Sequence, residues 1–215
     1  MDKKTEKLKF ISYCRKSSES EDKQTLSIDS QKRELKRIID NPYLLYVGNR
    51  RSQFKNFRNL AQAFAIILKK HHGIKLICTG SEFTSDELTF FADLGISDSM
   101  LQIYANENTM AQLYRDAEMF VYPSVYEGFG LPLLESMVYS CPVACSNTSC
   151  FPEIAGNAAV YFDPHDIDSI IDTIDRLLVD SILRTNICNN GKVQLEKYSW
   201  DKCAQEHLDV YRSLM

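Results

Sequence analysis

No apolar run in this chain approaches the ~20 residues that a membrane-spanning helix needs. No signal peptide opens it, so a cytoplasmic setting is expected, with the inner membrane surface as a further option. The seven cysteines (Cys14, Cys78, Cys141, Cys145, Cys150, Cys188 and Cys203) are odd in number and never spaced C-x-x-C. A disulfide framework or a structural zinc site is therefore not expected, and the thiols suit a reducing compartment. Cys141 and Cys145 flank an apolar run and read as small core residues. Only four histidines occur, His71, His72, His165 and His207, dispersed and without metal-ligand spacing. An excess of positive charge is also missing. The net charge of −4 argues against a dedicated nucleic-acid binder, and no nucleic-acid partner is expected. There is no internal repeat and no low-complexity linker.

What remains is an ordinary globular composition of 215 residues, 44% hydrophobic and 25% charged, enough for one domain and an appendage. The charge divides it. Residues 1–40 carry 11 Lys+Arg against 8 Asp+Glu, whereas the rest carries 14 against 21. The first forty residues hold one apolar run, Leu8–Cys14, then a polar stretch and a charged helical pattern with Leu35, Ile38 and Ile39 on one side. This reads as a short strand–loop–helix appendage, residues 1–41.

From residue 42 to 215 the texture changes to short apolar runs alternating with longer 3.6-period segments. The runs are Tyr43–Val47, Ile74–Cys78, Met119–Tyr122, Val143–Cys145 and Ala159–Phe162, with a further strand around Leu101–Ile103. Continuous short runs bounded by Gly, Pro or polar residues are how strands buried on both faces read. Between them Phe57, Leu60, Ala61, Phe64 and Leu68 share one helical face. Ile167, Ile170, Ile171, Ile174, Leu177 and Leu178 share another, and Ala204, Leu208 and Tyr211 a third. The expected fold class is α/β, a Rossmann-like parallel sheet with helices on both faces. Ligands of such sheets bind beyond the carboxyl ends of the strands.

Two stretches carry chemistry. Pro123–Glu135 reads strand, glycine turn, helix: Gly128 and Gly130 permit a sharp turn, and Pro132 suits a first helical turn. The amides of such a helix start form an anion site. Glu127 and Glu135 flank that turn. Carboxylates repel phosphate, but they accept hydrogen bonds from sugar hydroxyls. The pattern suggests a ligand with hydroxyls on both sides of a phosphate, as in a nucleotide sugar. A glycine turn before a helix is also common in α/β folds, and the helix dipole alone favours acids there. The second stretch, Tyr46–Asn56, places Gly48, Arg50, Arg51 and Lys55 in a loop at a strand end. These cations read either as a solvated basic loop or as neutralisers of a diphosphate.

Residues 43–215 resemble the C-terminal, donor-binding domain of the retaining GT-B glycosyltransferases of family 4. Glu127 and Glu135 match that family's E-x7-E motif, with Gly128–Phe129–Gly130–Leu131–Pro132 between them. Tyr46–Val47–Gly48 with the following cations and Lys55 matches the first strand and phosphate loop. Ala111–Ala117, Pro142–Val143, Phe151–Ile154 and the helix opening at Trp200 match further segments. The resemblance implies roles. Glu135 would hold the ribose hydroxyls and Glu127 the transferred sugar. Lys55, with Arg50 or Arg51, would bind the diphosphate, helped by Gly48 and the amides of Phe129, Gly130 and Leu131. It implies no metal and no cofactor. The substrate would be a GDP- or UDP-sugar. The carbohydrate or lipid acceptor is undefined, and a partner chain is one source of an acceptor domain. Asn49 stands where the family usually has arginine, and Gln53–Phe54 lengthens the loop by one residue. Tyr104 could border a base, although a core aromatic is the simpler reading.

Phe10–Ser18 and Leu26–Gln31 resemble the opening of serine recombinases, with Ser17 at the nucleophile position and Arg15 beside it. The resemblance covers only about residues 7–39, and the remaining cations of such a site have no counterpart. Three functions are therefore carried forward: a glycosyltransferase donor domain, a nucleotide-sugar-binding module without turnover, and a DNA-acting fragment.

Overall fold

The computed structural model describes residues 41–214. The recombinase-like segment, with Ser17 and Arg15, lies outside the described residues. Six strands form one sheet: β1 (Tyr43–Tyr46), β2 (Lys75–Thr79), β3 (Met100–Ile103), β4 (Met119–Tyr122), β5 (Val143–Ser146) and β6 (Val160–Phe162). All neighbours pair in parallel, in the order β3-β2-β1-β4-β5-β6. Both β2 and β4 pair with β1, so successive halves of the chain wind outward from the centre. The helices are α1 (Phe57–Lys70), α2 (Ser85–Asp93), α3 (Glu107–Asp116), α4 (Leu131–Val138), α5 (Phe151–Ala155), α6 (Ile167–Val179), α7 (Ser181–Leu195) and α8 (Trp200–Ser213).

The apolar runs become central strands because both of their faces find helices. Leu44 and Tyr46 of β1 join one core with Leu60, Phe64 and Ile67 of α1 and Ile170 and Ile174 of α6. Tyr43 and Leu45 point the other way and join Leu113 and Tyr114 of α3 and Leu133 and Leu134 of α4. The alternation repeats along β4, where Val121 enters the first core and Phe120 and Tyr122 the second. Cys141 and Cys145 are fully buried, and burial pushes both thiols well above their ordinary range. His71 joins the two outer helices of the first core, its Nε2 lying 2.6 Å from Asp175 Oδ1.

Three helices differ from the expectation. The face carrying Ala204, Leu208 and Tyr211 is helical, but α8 contains no buried residue. The helices α2 and α7 were not read from the sequence. A signal for α2 is present: Thr84 and Glu87 form a capping box, each side chain paired with the other's backbone amide. No helix among the described residues is long and apolar enough to cross a membrane.

Gly130 opens α4 in the left-handed region, at φ 87°. A Cβ there would lie 3.2 Å from Cε1 of the fully buried Phe151. Gly130→Ala is therefore expected to cost about 1–2 kcal/mol of unfolding free energy, from backbone strain and contact together. Urea unfolding measures it; an unchanged midpoint would show that the turn relaxes freely.

Candidate functional site

The strand order reverses between β1 and β4, the place where α/β sheets open a crevice. Beyond β1 the chain passes Gly48 and a single 3-10 turn (Gln53–Lys55) before Asn56, left-handed at φ 51°, starts α1. Gly48 permits a close approach: a Cβ there would lie 3.4 Å from both Lys55 Cδ and the Tyr46 hydroxyl. Beyond β4 the loop 123–130 lies against this turn, with the Val125 amide donating to the Phe54 carbonyl at 2.8 Å.

The two loops meet in an ion pair. Lys55 Nζ lies 2.5 Å from Glu127 Oε1 and 3.4 Å from the Tyr122 hydroxyl, above that residue's ring. Both charged side chains are mostly covered, with 22% and 16% exposure. Burial, and next the Glu127 charge, raise the Tyr122 phenol far above its ordinary pKa, so it stays protonated at neutral pH. The buried Tyr46 hydroxyl has no hydrogen-bond partner among the described residues. A third loop, after β5, holds the segment around Glu127. Ser149, left-handed at φ 56°, accepts from the Glu127 amide at 3.2 Å and donates to its carbonyl at 2.8 Å. Thr148 donates to the Val125 carbonyl at 3.2 Å. These positioning residues were not read from the sequence, because the loop after β5 carries no charge or motif of its own.

Glu135 sits one helical turn beyond Gly130 on α4. It is buried, and the Tyr114 hydroxyl donates to its Oε2 at 3.0 Å. Gly128 and Phe129 are exposed and Leu131 partly so, and no side chain caps this helix start. The first amides of the helix thus have no capping side chain, and such amides form an anion site.

The two arginines part company. Arg51 is exposed, its amide bonded to the Asn49 side chain at 3.1 Å. Arg50 is 7% exposed and committed elsewhere. Its Nε donates to Glu87 at 2.8 Å, and its remaining donors reach the carbonyls of Thr79, Ser81 and Glu82. Its guanidinium also lies 4.7 Å from the centre of the Phe83 ring. Of the two arginines offered for the diphosphate, Arg50 has most of its donors engaged by Glu87 and by the carbonyls at the end of β2 and in the loop after it. A guanidinium has five N–H donors, and a fork this engaged has little left for a ligand.

Arg50 instead builds a wall. A cleft of about 340 Å³ lies beside it, lined by Gly48, Asn49, Thr79, Gly80 and Tyr104 among others. That volume is at the lower end of the range for small-molecule sites. Tyr104 is 70% exposed and borders the cleft, so the core-aromatic reading is corrected as well. The reason is local: β3 ends at Ile103, and Tyr104 begins the loop at the sheet's edge.

The Arg50–Glu87 pair makes the cleft wall sensitive to acid. Burial raises the Glu87 pKa, but the Thr84 amide and the Arg50 guanidinium outweigh it and hold the carboxyl below its usual 4.5. A carboxylate depressed in the folded state stabilises above its unfolded pKa, and that contribution disappears as pH falls through the folded value. Wild-type stability should therefore drop on acidification below about pH 4.5 more steeply than that of Glu87→Gln. Thermal melts from pH 7 to 3 test this; parallel curves would show that the pair carries no net free energy.

Among the described residues no group of three or more His, Cys, Asp or Glu is placed to hold a metal ion. The family model for glycosyl transferases group 1 matches residues 27–194, beginning before the expected boundary at residue 42. The chain is 34% identical over 176 residues to O-antigen chain mannosyltransferase B of Escherichia coli, covering 80% of this chain and 46% of that protein. It is 35% identical over 181 residues to an uncharacterized glycosyltransferase of Methanocaldococcus jannaschii, covering 82% of this chain and again 46% of the other. The chain thus spans about half the length of these curated relatives. Among solved structures, it overlays the C-terminal domain of a glycosyl transferase group 1 family protein from Francisella tularensis. The TM-score is 0.63 at 26% identity, covering 80% of this chain and 93% of that one. Sucrose-phosphate synthase from Thermosynechococcus elongatus shares the fold, with a TM-score of 0.72 at 23% identity, over 86% of this chain and 48% of that one.

Proposed function

The chain belongs to the glycosyl transferases group 1 family, and from that premise we propose that residues 42–215 bind the nucleoside-diphosphate sugar of a retaining glycosyl transfer. The observation that carries this reading is the Lys55–Glu127 pair at the strand switch point, beside the cleft. The nucleoside would enter the cleft, with its ribose toward Glu135. The diphosphate would lie against Lys55, Arg51 and the amides at the start of α4. The transferred sugar would face Glu127. In the reaction the bond from the sugar's anomeric carbon to the phosphate oxygen breaks. A bond to the acceptor oxygen forms on the same face, and the acceptor's proton passes to the departing phosphate. Lys55 and Arg51 stabilise the negative charge that develops on the diphosphate.

The similarity to O-antigen chain mannosyltransferase B favours a mannosyl donor. The nucleotide, guanosine or uridine, is decided by experiment. Thermal unfolding of the chain with UDP, GDP, ADP and their sugar conjugates should show a selective shift. Ligand at ~100 times its dissociation constant adds ~2.7 kcal/mol of stability. Cooperative unfolding with no shift from any nucleotide would overturn the reading. Binding without turnover gives the same shifts but no release of nucleoside diphosphate from the donor.

A further inference from the structure

Two aromatic rings stand in solvent beside the ion pair. Phe54 is 62% exposed and Tyr126 65%. Each immediately precedes one partner of the pair, Lys55 and Glu127. Their ring centres are 6.5 Å apart in an edge-to-face arrangement. The Val125 amide bonds the Phe54 carbonyl at 2.8 Å, so the two loops, and with them the rings, are tied by backbone. Neither ring belongs to either hydrophobic core. Leaving two large rings in water is unfavourable in the free protein, and an exposed aromatic pair held in one geometry marks a contact surface.

The surroundings define what the surface fits. Along the chain Phe54 lies between Gln53 and Lys55, and Tyr126 between Val125 and Glu127, so three of the four flanking residues are polar or charged. A lipid chain or a protein interface core would need a continuous apolar face, which these neighbours interrupt. A pyranose has both features required: a face of C–H groups that packs on the electron-rich face of an aromatic ring, and hydroxyls that reach charged neighbours. Position adds a second argument. The sugar transferred from the donor would lie at Glu127, and the attacking hydroxyl must arrive next to it. Tyr126 and Phe54 border that point from the solvent side. We propose that Phe54 and Tyr126 form a stacking platform for a pyranose unit of a saccharide acceptor. The proposal rests on the donor-site reading and names the acceptor class that the reading leaves open.

The test uses the full chain with methyl α-D-mannopyranoside and an α-linked mannobiose as probes, each with and without the nucleotide selected above. Saturation-transfer NMR reads contact of the ring protons with protein, and calorimetry reads nucleotide affinity in the same samples. The disaccharide is expected to bind weakly. Phe54→Ala and Tyr126→Ala should each weaken it about tenfold, the loss of one stacking face. Nucleotide affinity should not change, and Phe54→Tyr should restore saccharide binding. Equal saccharide signals in wild type and both alanine variants would overturn the platform, as would no signal in the wild type. A dimer that Phe54→Ala converts to monomer would also overturn it, by making the rings a contact between copies. Failure of nucleotide binding alone would sink the donor reading, while the samples without nucleotide still decide the platform.

Discussion

Lys55→Ala is expected to remove most of the affinity for nucleoside diphosphates. Among the described residues Lys55 is the cation paired with Glu127, and its ammonium also reaches the Tyr122 hydroxyl. A charge-assisted contact to phosphate is stronger than a neutral hydrogen bond, so its loss should weaken binding about 10- to 100-fold. Turnover should fall further, about 10²- to 10³-fold, because the departing diphosphate gains charge in the transition state. Lys55→Met keeps most of the apolar stem over the Tyr122 ring and separates lost charge from lost packing. Arg51→Ala, at an exposed position, should cost less. Calorimetric titration with the selected nucleotide measures all three. If Lys55→Ala binds as tightly as wild type, the phosphate does not lie on the loop after β1, and the donor-site proposal fails.

The central strands β1 and β4 were legible because each is a short apolar run covered by helices on both faces. Met119–Tyr122 has the bounds read from the sequence, and Tyr43–Tyr46 differs by one residue. Phase alone could not reveal α7: Ile187 enters one core and Leu195 the other, so no single apolar stripe runs along it. The engagement of Arg50 was hidden for a different reason. Its partner Glu87 lies 37 residues away on a helix that was not recognised, although Thr84-x-x-Glu87 carries the signature of its start. A cation's availability depends on which anion the fold brings to it, and local sequence holds no record of that. Tyr104 shows the converse: Ile103 before it is apolar, but the strand ends there, and the ring stands at the cleft.

The two glutamates should separate by the ligand each affects. Glu135→Gln is expected to weaken free nucleotide and nucleotide sugar by the same factor, because a ribose contact is common to both. A hydrogen bond to a charged group contributes about 1.5–3 kcal/mol, so the common factor is about 10- to 100-fold. Glutamine still offers an oxygen to the Tyr114 hydroxyl, which avoids leaving that buried donor unpaired. Glu127→Gln should behave with opposite signs toward the two ligands. In the free protein Lys55 is already neutralised by Glu127, and an incoming diphosphate must draw the ammonium away from a carboxylate that also repels it. Removing that charge should make free nucleoside diphosphate bind as tightly as in wild type, or several-fold tighter. The sugar conjugate loses its carboxylate contact and should bind more weakly relative to the free nucleotide. The ratio of the two affinities therefore falls in Glu127→Gln and stays constant in Glu135→Gln. Parallel losses of both ligands in both variants would mean that the two carboxylates do not face different parts of the donor. The assignment of Glu127 to the transferred sugar would then be wrong, even with a nucleotide bound in the cleft.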